Sequence, residues 1–167
     1  TLIITVTPIN DAPNAVVDNA STNENIAVIL SVTNNDLDSD GIIDVQTVNI
    51  TNNPTNGSAS VNSSTGQITY TPNNGFIGTD TLIYQVCDNG TPLPAVCDTA
   101  MVIINVAPCL SNPTLDCDGD GVPNGVELAD GTNPNDPCSL IIASQTVSPS
   151  IAWVGLDCDN DGLDNGA

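Results

Sequence analysis

This chain of 167 residues has 18 Asp and 2 Glu but no Lys, Arg or His, so its formal charge is −20 at pH 7. Without basic side chains it lacks the groups that bind phosphate, which excludes nucleic acid and anionic lipid as partners, and no apolar run is long enough for direct membrane insertion. Self-repulsion at this charge density opposes a compact fold, so we expect metal cations to offset the carboxylates.

Short apolar runs separated by Asn, Gly and Pro turns predict seven strands between residues 11 and 107. In chain order, these strands are 15–18, 26–32, 42–51, 58–62, 66–71, 80–87 and 97–106. The apolar residues are mostly β-branched, with 16 Val and 16 Ile against 11 Leu, which favours strands. The pattern predicts an all-β fold, an antiparallel β-sandwich over residues 11–107.

The segments on either side of this sandwich differ from it. Residues 1–10 are predicted to be the last strand of a preceding repeat and the start of a linker, so we expect the chain to be a piece of a longer protein. From residue 108 a small unit repeats, because Leu-Asp-Cys-Asp at 115–118 recurs at 156–159. Repetition indicates an array of stacked units, and residues 108–167 are predicted to be an irregular, truncated region of calcium-loop repeats.

The motif Asp-x-Asp-x-Asp-Gly occurs three times and is typical of calcium loops, whose alternate positions supply oxygen ligands. The middle copy fits a loop of about twelve residues throughout. Its predicted ligands are the side chains of Asp116, Asp118, Asp120, Asn124 and Glu127 and the carbonyl of Val122. This loop is the strongest prediction of a Ca²⁺ site.

The other two copies are less complete. In the third copy the predicted ligands are Asp157, Asp159, Asp161, the Leu163 carbonyl and Asn165. In the first copy they are Asp36, Asp38, Asp40 and Asp44, with Asp11 from the linker. The first copy has Thr47 where the closing acid should stand, so a solvated loop without metal stays an alternative there. Glu24 or Asn10 are further residues that would complete its shell.

Six Cys, without His or Cys-x-x-Cys pairs, favour disulfides formed in an oxidising compartment. Cys87 and Cys97 end and begin adjacent strands, so they are predicted to pair across a hairpin. Within each repeat, one Pro-Cys precedes one loop Cys, which predicts the pairs Cys109–Cys117 and Cys138–Cys158. The alternative, Cys117–Cys138, would span the calcium loop and leave Cys109 and Cys158 far apart.

Several stretches resemble known families. Residues 6–13, 35–41 and 75–84 resemble the Ig-like, cadherin-like tandem repeats of large bacterial adhesins. The cores at 116–121 and 157–162 resemble thrombospondin type 3-like calcium repeats, although a Pro-Cys before each loop departs from that pattern. Together the two regions resemble gliding-motility adhesins of bacteria that use the type IX secretion route. The resemblance implies a secreted protein at the cell surface.

The function we expect is a calcium-stabilised stalk or adhesive segment of such an adhesin or filament. Its expected partners are neighbouring repeats of the same polypeptide, and surface glycans or other cells. Catalysis is not expected, because the chain has no His for acid–base chemistry and no Lys or Arg to stabilise an oxyanion. One alternative is an accessory or carbohydrate-binding module of a secreted multidomain hydrolase, which would need exposed aromatics. A purely structural filament subunit is another.

Two triplets, Asp80-Thr81-Leu82 and Asp98-Thr99-Ala100, resemble a bacterial O-glycosylation signal. Both also read as ordinary strand sequence. Thr81 and Thr99 are therefore predicted modification sites on composition alone.

Overall fold

The computed structural model describes residues 9–90, 92–158 and 165. The chain divides into two compact units between Ala107 and Pro108, and each unit is described by itself. The predicted opening strand at residues 2–7 lies outside the described residues.

The first unit is built from seven described strands in two sheets. The strands are β1 (Asp18–Asn23), β2 (Val28–Leu30), β3 (Ile43–Asn52), β4 (Gly57–Val61), β5 (Ile68–Pro72), β6 (Gly78–Asp88) and β7 (Cys97–Ala107). The order is β1-β7-β6-β3 in one sheet and β2-β5-β4 in the other. The β1–β7 pair is parallel, whereas the other pairs are antiparallel.

Alternation along the strands creates the core of this unit. Leu82, Tyr84 and Val86 of β6 are fully buried, and the residues between them are more exposed, because successive side chains of a strand point to opposite faces. They belong to the same buried cluster as Ile68 and Tyr70 of β5, so the inner faces of the two sheets share one core. The predicted all-β, Ig-like sandwich is confirmed.

The predicted strand at residues 15–18 is wrong, since β1 begins at Asp18. Before β1, the backbone of the apolar run 15–17 donates to carboxylates and not to a neighbouring strand. The N–H of Ala15 donates to Asp98 at 3.0 Å, and the N–H of Val16 donates to Asp36 at 2.8 Å. The strand that does form is polar and lies at a sheet edge, so hydrophobic periodicity could not reveal it.

Buried carboxylates in this unit are held by N–H and O–H donors. Asp80 accepts from the backbone N–H groups of Thr55, Asn56 and Thr81 at 2.8–3.1 Å. It also accepts from the Tyr70 hydroxyl at 3.0 Å. Such donors replace the water that burial removes.

Asp88 organises the hairpin between β6 and β7. It accepts from the N–H groups of Gly90 and Val96, and the Asn10 amide donates to it at 2.7 Å. The same Asn10 amide donates to the Pro94 carbonyl. Burial would raise the pKa of Asp88, but these donors hold the pKa below its usual value. The linker residue Asn10 is thereby attached to the hairpin.

The second unit has little regular structure. Its helices are α1 (Asn124–Asp130) and α2 (Ile151–Val154). Helix α1 ends at Gly131, whose φ of 78° is the left-handed conformation that glycine adopts most easily. Helix α2 is capped by the Ser150 hydroxyl, which accepts from the N–H of Trp153. Among the described residues, no helix has the length and apolarity needed to cross a membrane.

The two buried tyrosines allow a matched test of the carboxylate network. Tyr84 donates to Asp36 at 2.9 Å and lies near the Val32 carbonyl at 3.1 Å, whereas Tyr70 donates to an Asp80 that keeps three backbone donors. Because Tyr84→Phe leaves Asp36 with fewer donors, we expect it to lower the free energy of unfolding by about 1–3 kcal/mol. Tyr70→Phe is the control and should have the smaller effect. Urea denaturation measures both, and an equal or smaller loss for Tyr84→Phe would contradict this account.

Candidate metal centre

Three disulfides connect the chain at the places where the sites lie. Cys87–Cys97 joins directly paired residues of β6 and β7. Cys109–Cys117 and Cys138–Cys158 each tie a Pro-Cys segment to the second position of an aspartate loop. These are the three disulfides that the sequence predicted, and the alternative Cys117–Cys138 is not formed.

The loop at 116–127 is folded by its first aspartate. The two carboxylate oxygens of Asp116 accept from the N–H of Gly119 at 2.7 Å and of Gly121 at 2.9 Å. This wraps the backbone around the carboxylate and turns the next two aspartates inward. Asp116, Asp118 and Asp120 each offer an oxygen within 4.8 Å of the others, and among the described residues this is the one such cluster.

Four oxygens around this loop are buried without a hydrogen-bond donor. They are Oδ2 of Asp118, Oδ2 of Asp120 and both oxygens of Glu127. Glu127 lies in the first turn of α1 and, like Asp120, is fully buried. Since buried polar atoms are normally paired, such oxygens indicate a cationic partner. A set of carboxylate oxygens fits the hard cation Ca²⁺.

The charges of the loop act strongly on one another. Burial, followed by repulsion from the three loop aspartates, raises the pKa of Glu127 to about 7. Burial, followed by repulsion from Asp120, raises the pKa of Asp118 to about 6. Burial likewise raises the pKa of Asp120. The ionised form of this site is therefore destabilised unless a cation is bound.

The structure surrounds the side chain of Asn124, a predicted ligand, with backbone groups. Its side-chain oxygen accepts from the N–H of Cys117 at 3.1 Å. Its amide nitrogen donates to the carbonyls of Asn112 at 3.1 Å and Cys109 at 3.3 Å. The side chain is thus occupied by backbone groups. The carbonyl of Val122 remains a predicted ligand; its N–H donates to Asp120 at 2.7 Å.

A strap of residues 145–150 covers the loop, a feature that the sequence analysis missed. The Gln145 amide donates to the Asp120 carbonyl at 2.6 Å, and the N–H of Ser150 donates to the Gly119 carbonyl at 2.7 Å. Gly119 has a φ of 79°, and a Cβ there would lie 2.5 Å from the Ser150 hydroxyl oxygen. Glycine in the loop therefore serves two purposes, a left-handed turn and close contact with the strap.

The third copy repeats part of this arrangement. Asn165 accepts from the N–H of Cys158 at 3.3 Å and donates to the Trp153 carbonyl at 3.0 Å. Asp157 is half-buried at the start of the loop. The other predicted ligands, Asp159, Asp161 and Leu163, lie outside the described residues.

The first copy does not gather its aspartates into a described cluster. Asp36 is buried, and its oxygens accept from the Tyr84 hydroxyl and from a backbone N–H, so its described contacts are with the core. Asp40 accepts from the N–H of Asp11, and Asp44 accepts from the N–H of Gln46. Sequence spacing could not predict this contact, because the tyrosine that donates to Asp36 lies 48 residues further along the chain.

In the first unit, Asn10, Asp38 and Asp18 each keep one buried, unpartnered oxygen, and the charge of Asp18 is repelled by Asp36. Asp38 also accepts from the N–H of Asp40 at 3.3 Å. Three such atoms are fewer than the six to eight oxygens that calcium takes. A metal in this region stays a prediction.

Thr81 and Thr99 are exposed on β6 and β7. Both point to the face of the sheet opposite the core, because they alternate with Leu82 and Ala100, which are buried. Their hydroxyls are therefore accessible, and modification at either residue remains a prediction.

Comparison with known families agrees with the two-part architecture. The sequence pattern of the bacterial Ig domain matches residues 10–105. The chain belongs to the bacterial Ig domain family. The pattern of the bacterial TSP3 repeat matches residues 116–137, which include the loop at 116–127. The predicted order of an Ig-like domain followed by a TSP3-like repeat is therefore confirmed.

Similarity to individual proteins is more limited. No curated protein matches the chain. One similar solved structure is a nucleoside hydrolase-related hypothetical protein from Saccharophagus degradans that is associated with carbohydrate metabolism. It is 22% identical, with a TM-score of 0.41, and the match covers 58% of this chain and 26% of that one. This chain thus spans about a quarter of that protein, and the similarity supports no functional inference.

Bacterial Ig and TSP3 repeats fit an extracellular protein made of repeats, and the three disulfides are compatible with that location. TSP3 repeats in general bind calcium. In this chain the aspartate cluster lies inside the matched TSP3 residues.

The raised pKa of Glu127 predicts how the stability of the second unit, residues 108–167 and called the TSP3 unit below, depends on pH without calcium. Folding raises this pKa from 4.5 to about 7, so Glu127 loses its proton at a lower pH in the unfolded chain than in the folded unit. The stability of the unit in EDTA should therefore fall as pH rises from about 4.5 to 7. Glu127→Gln should raise the melting temperature in EDTA at pH 7 and flatten the pH dependence. Fluorescence of Trp153, the single tryptophan, follows this transition.

The matched control is Glu24→Gln, which removes the same charge from the first unit. It should leave the Trp153 transition unchanged. A Glu127→Gln variant that melts earlier than the wild type in EDTA would contradict the electrostatic account.

Proposed function

We propose that the loop at 116–127 binds one Ca²⁺ ion and that the chain is a calcium-stabilised stalk or adhesive segment of a large secreted cell-surface protein. The observation that carries the proposal is the set of four buried, unpartnered carboxylate oxygens of Asp118, Asp120 and Glu127. With the half-buried Asp116, these residues would hold the ion. The Val122 carbonyl would add a further oxygen.

Calcium would convert the main source of repulsion in this unit into a source of stability. The acids of the loop oppose folding while they are ionised and unneutralised. A cation that binds the folded loop and not the unfolded chain stabilises the fold by mass action. The strap at 145–150 contacts the same loop and leads directly into α2, so order in one repeat would extend toward the next.

A stalk or adhesive role follows from this design. The disulfides and the metal would give a stiff module with a very small apolar core, in which Cys109, Val122 and Pro134 are the buried apolar side chains among those described. Neighbouring repeats of the same polypeptide are the partners we propose, because a repeated unit is stabilised by stacking. Adhesion to cells or surface glycans, and a part in gliding motility, belong to this proposal.

We further propose that the chain is not a catalyst. It has no His, Lys or Arg, and Glu127, whose pKa burial raises to about 7, is fully buried within the loop at 116–127.

The state of the aromatics favours a stalk over a carbohydrate-binding module. All four aromatic side chains of the chain lie in its described part, and none of them is exposed. Tyr70 and Tyr84 are fully buried, Phe76 packs against the core, and the Trp153 indole donates to the Pro137 carbonyl. Sugar-binding modules use exposed aromatic faces, which this arrangement does not supply.

Calcium titration tests the proposal. At a free calcium concentration about 100 times the dissociation constant, binding should stabilise the folded unit by about 2.7 kcal/mol, so the Trp153 transition should move to higher temperature. Asp118→Asn should weaken calcium binding. Asp136→Asn removes the same charge at an exposed position outside the loop and should bind like the wild type.

Isothermal titration calorimetry gives the affinity and the number of ions. Heat of binding that survives unchanged in Asp118→Asn, or no shift of the Trp153 transition with calcium, would refute a site at 116–127.

A further inference from the structure

Asn124 is the most completely hydrogen-bonded side chain near the metal loop. It is fully buried and contacts both parts of the chain that the Cys109–Cys117 disulfide joins. Its oxygen accepts from the Cys117 N–H, while its nitrogen donates to the carbonyls of Cys109 and Asn112. Its own N–H donates to the Leu115 carbonyl at 2.7 Å. The side chain therefore connects the start of the loop, the turn before it and the first residue of α1.

The next repeat contains the same arrangement. Asn165 accepts from the Cys158 N–H, donates to a carbonyl twelve residues earlier at Trp153, and directs its own N–H to the Leu156 carbonyl at 2.6 Å. Asn124 likewise donates to a carbonyl twelve residues earlier, at Asn112. The segment between the two bonded cysteines is longer in the second repeat than in the first. The asparagine nevertheless makes the same hydrogen bonds in both loops, which makes coincidence a poor explanation.

This environment requires an amide. Carbonyl groups on one side need a donor, and the backbone N–H of Cys117 on the other side needs an acceptor. Aspartate would satisfy the N–H but would place a buried negative charge against two carbonyls. As a calcium ligand, in contrast, aspartate is at least as good as asparagine. The two roles therefore predict opposite effects for one substitution.

We infer that Asn124 is a positioning residue, and not a ligand, which fixes Cys117 and the aspartates beside it in the geometry that calcium needs. Asn165 holds Cys158 in the same way. The effect on calcium rests on the proposed function of the loop, whereas the effect on the fold without calcium does not. An amide that holds the loop in place reduces the ordering that binding would otherwise require.

Asn124→Asp in the full chain tests the inference. Loss of one buried hydrogen bond changes an equilibrium constant by about tenfold. We expect the variant to bind calcium at least about tenfold more weakly by calorimetry at a temperature where it is folded, and to melt earlier than the wild type in EDTA. Asn133→Asp adds the same charge at an exposed position and is the matched control. It should change neither the calcium affinity nor the melting temperature in EDTA.

Glu127→Gln separates a ligand from a positioning residue. As a ligand variant it should bind calcium more weakly but should not melt earlier in EDTA. Asn165→Asp should weaken calcium binding by the loop that begins at Asp157 and leave the calcium affinity of the loop at 116–127 unchanged.

The outcomes are distinct. Asn124→Asp with wild-type or tighter calcium affinity and an unchanged melting temperature in EDTA overturns the inference. If the second unit of Asn124→Asp stays unfolded in calcium, as Trp153 emission would show, the ligand role is excluded and the inference is supported. If the wild type binds no calcium but Asn124→Asp still melts earlier in EDTA, the proposed function fails while the structural role of Asn124 stands.

Discussion

The carboxylates of this chain must be stabilised without a single Lys, Arg or His side chain. Burial of an ionised carboxylate is very unfavourable unless donors or cations replace water. Two solutions remain, namely N–H and O–H groups of the protein or metal ions from solution. Which solution each aspartate receives decides most of the local structure in both units.

Three buried aspartates of the Ig domain have the first solution, whereas for the loop at 116–127 of the TSP3 unit we propose the second. In the Ig domain, Asp36, Asp80 and Asp88 are buried, and each accepts from at least one backbone N–H and from one side-chain donor. In the TSP3 unit, Asp116 is held by backbone donors, but Glu127 has none for either oxygen. A buried carboxylate is thus a structural acceptor in one unit and a candidate metal ligand in the other. We attribute this difference to the number of backbone donors within reach.

Local patterns in the sequence predicted much of this structure. Alternation in 81–86 predicted the buried face of β6, and the spacing at 116–127 predicted which acids come together. The exceptions depend on distant partners. Asp36 matched the calcium motif, yet Tyr84 from another strand donates to it. Asn124 stood at a ligand position, yet its amide meets carbonyls brought near by the Cys109–Cys117 disulfide. Spacing along the chain reports the shape of a loop but not the groups that the fold places beside it.

A crystal structure grown with calcium tests the central claim most directly. Anomalous scattering recorded at a wavelength where calcium contributes should show a peak among Asp116, Asp118, Asp120 and Glu127. The Asn124 amide should remain on the carbonyls of Cys109 and Asn112. The crystals should be grown at a calcium concentration above which the melting temperature no longer rises. A map in which the carboxylates of this loop surround only water would then contradict the account.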